Sequence, residues 1–476
     1  MASVMESRMR LFIGFLLFAL LLPLRSFAED SSPSLTLSQC VEAALANGDE
    51  NAIIEQNLGI GKAQYEQAVS ANSLALKGSA GYGVSGAAGD STLISSYATE
   101  TGVSAANVVP QSIQAGLALS GPMTSVSLGG AYVLPLLGTF GDSSLVSLGV
   151  SQTLWDGYPG GTAKATVEKS FLSLRVKQLT ADSDKASLIY QVKQAFLTML
   201  ASQRTIAVKM EILANQESSL KQMEAAFKFQ KANAVDLQTA RINVKSAQVD
   251  LRNEQDILHT ARISLANLMG VSVESEFKVE EVEESPALTI TLEEAIAKGL
   301  EQRYELKKIA FNKKSTAIDL ALIQGQKSPT LSLSGAAYLM LGNTAQTNAM
   351  ATSATLSVGM PILDAGSAQH KEEENRCQNA LYGRQESQTR RSISLEIEMA
   401  YNSLKTQIEK LDLTKLQAEN AEAYYQVEKT ANQYGTVTNH DVLTASVDAA
   451  NARVNYAKAR SDVLLAVLEL QNAMGN

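Results

Sequence analysis

The sequence predicts a mixed fold, all-α together with membrane-type β, in which long coiled-coil helices alternate with short strands and the whole order runs twice in tandem. Three observations predict it. First, residues 229–270 and 434–475 align without a gap at a constant offset of 205: Asp236 answers Asp441, Thr239 answers Thr444, Val249 answers Val454, and Met269-Gly270 answers Met474-Gly475. A repeat of this length governs every other assignment. Second, both copies carry a heptad seam; third, the hydrophobic period changes from helical to two at matching places in each half.

The heptads justify the helices. Leu237, Val244, Leu251, Leu258 and Leu265 recur every seven residues, as do Val442, Ala449, Tyr456, Val463 and Leu470. Three residues further on, Ala240, Ala247, Glu254, Ala261 and Leu268 are matched by Ala445, Ala452, Ala459, Ala466 and Ala473. Small residues in one column let helices approach closely and wind as a coiled coil. The second copy has a further stripe through Leu443, Val447, Ala450, Val454, Ala457, Leu464 and Leu468, so it is expected to have two helical neighbours.

Taken in order, Arg8 and Arg10 precede an apolar run over 11–22, and Ser26-Phe27-Ala28 offers the small residues of a cleavage site. Residues 1–28 therefore read as a secretory signal. Its removal takes the formal charge from −9 to −11, because Arg8, Arg10, Arg25 and Glu6 leave with it. No basic run remains, which argues against nucleic acid as a partner. Cys40 and Cys377 are too few for a disulfide framework and read as core fillers. Beyond the signal there is no apolar run near twenty residues, so any entry into a membrane must be by strands.

The first repeat is expected over 29–270 and the second over 290–476, joined by an acidic link at 271–289. Leu35-Thr36-Leu37 and Ile290-Thr291-Leu292 open a short helix in each, followed by a second helix. Alternation then takes over. Val146, Leu148, Val150 and Leu154 face Ser147, Gly149, Ser151 and Thr153; Leu356, Val358, Met360 and Ile362 face Thr355, Ser357, Gly359 and Pro361. One apolar and one small polar face over about nine residues is the signature of a barrel strand between lipid and water. Strands are expected at about 78–155 and 328–363, about four per chain, and an extra hairpin at about 112–135 either joins the barrel or stands above it. Asp156-Gly157 and Asp364-Ala365-Gly366 break each pair of strands. Long helices follow over 159–229 and 366–432, proline-free from Gly161 to Phe229 and from Ser367 to Ala431 and on the order of 100 Å long, and return helices run over 233–270 and 438–474. About four strands cannot close a barrel, and open edges are not tolerated in lipid, so several copies must pool their strands.

This doubled order resembles the TolC family of outer-membrane efflux proteins, as do the Thr-Leu openings, the Asp-Gly turns, the closing Gly270 and Gly475, and the run Gly435-Thr436-Val437-Thr438-Asn439-His440-Asp441-Val442-Leu443. The resemblance implies a homotrimer sharing one tandem-duplicated β-barrel in outer-membrane lipid, continued by an antiparallel α-helical tunnel through the periplasm. It implies an exit duct of a tripartite efflux pump or type I secretion system, partnered by a periplasmic adaptor (membrane fusion) protein and an inner-membrane transporter, with no cofactor. It also places a pore ring at Asp441 that attracts cations, a closing link at Asp236, and adaptor-docking tips at Gly435, Thr438, Gln230 and Asn233. The sequence departs from the family pattern at four points: Thr444 replaces a second ring carboxylate, Asn432 and Val437 replace the tyrosine and arginine partners of Asp236, and Gln230 replaces a tip glycine.

The bland reading of both aspartates is capping: Thr438 to Asp441 and Asn233 to Asp236 each place an acid three residues after an N-cap residue. Catalysis has little to stand on. His259, His370 and His440 are far apart, and the glycine pattern at 81–86 lies in a strand-like stretch rather than a strand-to-helix turn. A periplasmic coiled-coil adaptor or scaffold without a pore is the alternative to a duct. Trp155, Tyr158, Tyr82 and Tyr338 are candidates for an interfacial aromatic belt.

Overall fold

The computed structural model describes residues 34–84, 111–134, 143–229, 233–282, 290–342, 349–362 and 364–475. The expected signal segment (1–28) and Gln230 lie outside them. Among the described residues no helix is long and apolar enough to cross a membrane.

Each half opens on a short helix fixed by its own sequence. In α1 (Leu37–Asn47) and α5 (Leu292–Gln302), Thr36 and Thr291 accept from the backbone N–H three residues on, and Gln39 and Glu294 accept from the cap residue's own N–H. This reciprocal box satisfies two orphan donors at the helix start and explains the doubled Thr-Leu openings. The second helices are α2 (Asp49–Ala71) and α6 (Tyr304–Gly325). A short parallel pair, β1 (Ser34–Leu35) with β6 (Lys278–Val279), ties the start of the first half to the acidic link.

Among the described residues, six strands then form one antiparallel sheet in the order β2-β3-β4-β5-β7-β8: β2 (Ala75–Val84), β3 (Gln111–Ser120), β4 (Thr124–Leu134), β5 (Ser143–Trp155), β7 (Thr330–Gly342) and β8 (Ala349–Gly359). The extra hairpin is thus part of the sheet as β3 and β4, which raises the expected count of about four to six. The register keeps one apolar face throughout. Leu76, Leu119, Val126 and Val150 lie abreast on it, as do Leu117, Leu128 and Leu148. Tyr82, Ile113 and Tyr132 form a row near one end of this face, and Trp155 lies opposite Leu331 at the other. Tyr338 departs from the belt reading: it is abreast of Ser147 and so belongs to the small polar face.

Two 67-residue helices, α3 (Thr162–Lys228) and α7 (Ser367–Gln433), leave the sheet, and α4 (Ala234–Met269) and α8 (Asn439–Ala473) return. Nearer the sheet the helices pack in the order α2, α3, α6, α7; towards the tips the order is α4, α3, α8, α7. Two equivalent cores stand where short and long helices meet. One gathers Cys40 and Ala44 on Val192, Phe196 and Met199 with Leu265 and Met269; the other gathers Ala295 on Ile393, Ile397 and Leu404 with Val463 and Leu470. Burial pushes the Cys40 thiol up to about 11. Cys377 is exposed rather than a core filler, and both cysteines are free.

Candidate functional site: the sheet face and the helical tips

The small polar face of the sheet is the first candidate surface. Ser79, Gly116, Gly129, Ser147, Tyr338 and Ala351 lie abreast on it, next to the row Lys77, Ala118, Ser127, Gly149, Ala336 and Ser353. Lys77 is the one Asp, Glu, Lys or Arg within the six strands. Such a wall offers hydroxyls and backbone but almost no fixed charge.

The strand-to-helix turns hold the sheet to the rods. Asp156 accepts from Thr162 at both N (2.6 Å) and Oγ1 (2.8 Å), and from Tyr158 N at 3.3 Å. Burial pushes the Asp156 carboxyl up, but these bonds outweigh it and hold it below the usual range. Asp364 does the same for α7, accepting from Gly366 N and Ala368 N, both at 3.0 Å, which lowers its pKa. Gly157 is fixed twice over: its φ is +90°, and a Cβ there would lie 2.2 Å from the Gly325 carbonyl oxygen at the end of α6. Gly366 takes the left-handed region as the N-cap of α7.

At the tip of the second half, Thr438 caps α8 and Asp441 completes the box. Asp441 Oδ2 accepts from Thr438 N (2.9 Å) and Thr438 Oγ1 (2.7 Å), while Asp441 N donates to Thr438 Oγ1 (3.2 Å). The Thr438 bonds lower the Asp441 pKa, and His440 adds to the effect. Gly435 has φ +72° with open space around it, so only its backbone conformation requires glycine. Asn432 Nδ2 donates to the Val437 carbonyl at 3.0 Å, so these two residues tie the turn to itself instead of reaching Asp236. At the first tip Asn233 accepts from Asp236 N at 2.8 Å, a cap without the return bond. Asp236 and Asp441 are not brought together, because α3 stands between α4 and α8. Phe229 and Tyr434, the last residues before the two turns, are 76% and 81% exposed.

One cluster was not read from the sequence. Arg453 on α8 donates through Nη1 to Glu211 of α3 at 2.6 Å and through Nη2 to Glu422 of α7. It therefore joins three rods and both halves of the duplication, and these bonds raise its pKa. The only available signal was a cation set among Ala449, Ala450, Ala452 and Ala457 in an otherwise small-residue stripe. Nearby, the Tyr424 hydroxyl is bonded to Glu428, and with Asp441 and Asp448 behind it the Tyr424 pKa is raised. Among the described residues no group of three or more His, Cys, Asp or Glu side chains is placed to hold a metal.

Comparison with known proteins places this geometry. Among curated proteins, none matches the chain. Among solved structures, the outer membrane protein VceC from Vibrio cholerae superposes with a TM-score of 0.69 at 15% identity, covering 92% of this chain and 96% of that one. A membrane protein from Pseudomonas aeruginosa gives 0.71 at 16%, covering 95% and 94%. The CmeC outer membrane channel of Campylobacter jejuni gives 0.67 at 15%, covering 95% and 90%. The outer membrane efflux protein profile matches residues 44–271 and again 295–476, one match for each half of the duplication. With most of its length accounted for by that profile, the chain belongs to the outer membrane efflux protein family.

Proposed function

We propose that the protein is a passive exit duct in which three copies pool their sheets into one barrel through the outer membrane and their rods into a tunnel below it. The observation that carries this reading is, among the described residues, an open edge at both sides of every level. The sheet ends on β2 and β8, the upper helices on α2 and α7, and the lower helices on α4 and α7. These edges carry exposed apolar side chains: Ile53 and Ile60 on α2, Val235, Ile242 and Val249 on α4, and Leu395, Met399, Leu413 and Leu416 on α7. An arc with an apolar stripe at each end is completed by further copies of itself.

An inner-membrane transporter supplies the energy, and a periplasmic adaptor docks on the tips. The tip residues Gly435, Thr438, Asn233 and Gln230, together with exposed Phe229 and Tyr434, are the proposed docking surface. Three Asp441 carboxylates around the axis form the pore ring, and capping and ring roles coexist because each carboxylate keeps lone pairs free. Arg453, rather than Asp236, supplies the contact that holds the tip of the second half against α3. Planar-bilayer recording of the purified oligomer tests the duct: discrete pores are expected, and well-folded oligomers without conductance sink it. Asp441→Ala is expected to weaken block by divalent cations; unchanged block leaves Asp441 as a cap alone.

A further inference from the structure

Resting on the trimeric-duct reading, we infer that the outer cylinder has eighteen strands, with β8 of each copy pairing β2 of the next, and that β3 and β4 serve to widen its bore. The hairpin is built as wall. β3 pairs β2 over ten positions, and β4 pairs β5 over ten, with no irregularity in either ladder. Strands of 10 and 11 residues match what a tilted strand needs to cross a bilayer.

The facing pattern supports the same placement. Ile113, Leu117, Leu119 and Leu128 are exposed on the face that they share with Leu76, Leu148 and Val150, and Gln114, Gly116, Ala118, Ser125 and Ser127 continue the small polar face. A hairpin standing clear of the membrane would present that leucine row to water. In the wall it meets lipid, as the rest of the face does.

Topology removes the remaining obstacle. A hairpin adds two antiparallel strands, so the count per copy stays even and the free edges β2 and β8 still run in opposite directions. Copies therefore close on one another by antiparallel pairing, and the occupant that fits each edge is a second copy of this chain, whose complementary edge has nearly the same length, 10 residues against 11. Three copies of six strands give eighteen. Barrel diameter grows almost linearly with strand number, so this bore is about 1.5 times as wide as that of twelve strands, with a cross-section about twice as large.

The wall chemistry fits a wide bore. Glycine, alanine and serine take little of the diameter, and a single lysine per copy leaves the sheet without a charge filter. Selection by size and charge then falls to the helical tips, and the outer cylinder passes whatever the tips admit.

The test uses the full-length protein in detergent, with native mass spectrometry for its stoichiometry and electron cryomicroscopy for its strand count. A trimer with eighteen strands in the wall is expected. A trimer whose wall has twelve strands, with residues 111–134 outside it, overturns this inference and leaves the trimeric duct intact; any other stoichiometry overturns the duct reading as well. A variant lacking residues 111–134 leaves β2 and β5 antiparallel and able to pair directly. Added to the outer side of a bilayer, neutral polymers should then show a size cut-off lower by about a third. An unchanged cut-off overturns the widening.

Discussion

The two return helices share one heptad seam, but only α8 carries a second apolar stripe, and their surroundings differ accordingly. α8 lies between α7 and α3, and Val463 on it is 3% exposed, in a core with Ile393, Ile397 and Leu404 of α7. Its repeat partner α4 packs along its length on α3, while Ile242 and Val249 on its far side are each 57% exposed. The same rod thus serves once as the interior of a protomer and once as its edge. Duplication produces two such rods, but only one can have both neighbours from its own chain; the other must find a neighbour elsewhere.

The largest expected effect breaks the inner rod. Val463→Asp puts a carboxylate into the core with Ile393, Ile397 and Leu404 and is expected to cost on the order of 3–5 kcal/mol of protomer stability, seen as a fall in the denaturation midpoint. The paired change Ile242→Asp with Val249→Asp on the outer rod should leave the protomer within about 0.5 kcal/mol of its parent while abolishing the trimer in native mass spectrometry. Equal loss of protomer stability in both variants would end the distinction between the rods.

Smaller effects sharpen it. Arg453→Gln removes the bridge from α8 to α3 and α7 at a partly exposed site, so about 1 kcal/mol is expected. The informative readout is a higher bilayer conductance; unaltered conductance would confine Arg453 to scaffolding. Thr438→Ala deletes a reciprocal box and should loosen the second tip by about 1 kcal/mol, whereas Asn233→Ala deletes a single bond and should do less, as read by hydrogen exchange of the first-turn amides.

The smallest effect is a pH response. The Asp441 carboxyl sits below the usual carboxylate range in the folded chain. Its box is therefore intact above the unfolded carboxylate pKa of about 4 and is lost as pH falls through the lower folded value. Exchange at residues 438–441 should rise only in that acid window, and Asp441→Asn should shift it.

The tandem order was legible because each boundary has a local cause. Thr36 and Thr291 cap within one turn of chain, Asp156 and Asp364 bond to amides within six residues, and Gly435 is set by its own φ. Such causes are written in neighbouring residues. The Arg453 cluster was not legible, because its partners Glu211 and Glu422 stand 242 and 31 residues away and no local pattern announces them. Tyr338 misled for a related reason: an aromatic near a strand end does not reveal its face until the register with Ser147 is known.

By itself the sequence determined the duplication, the change of hydrophobic period and the caps, all of which depend on spacing along the chain. Only the tertiary structure decided that the hairpin belongs to the sheet, which rods enclose α8 while α4 is left open, and that Arg453 joins the two halves. Each of these turns on which distant segment becomes a neighbour, and that is settled by the competition of all apolar faces for partners at once.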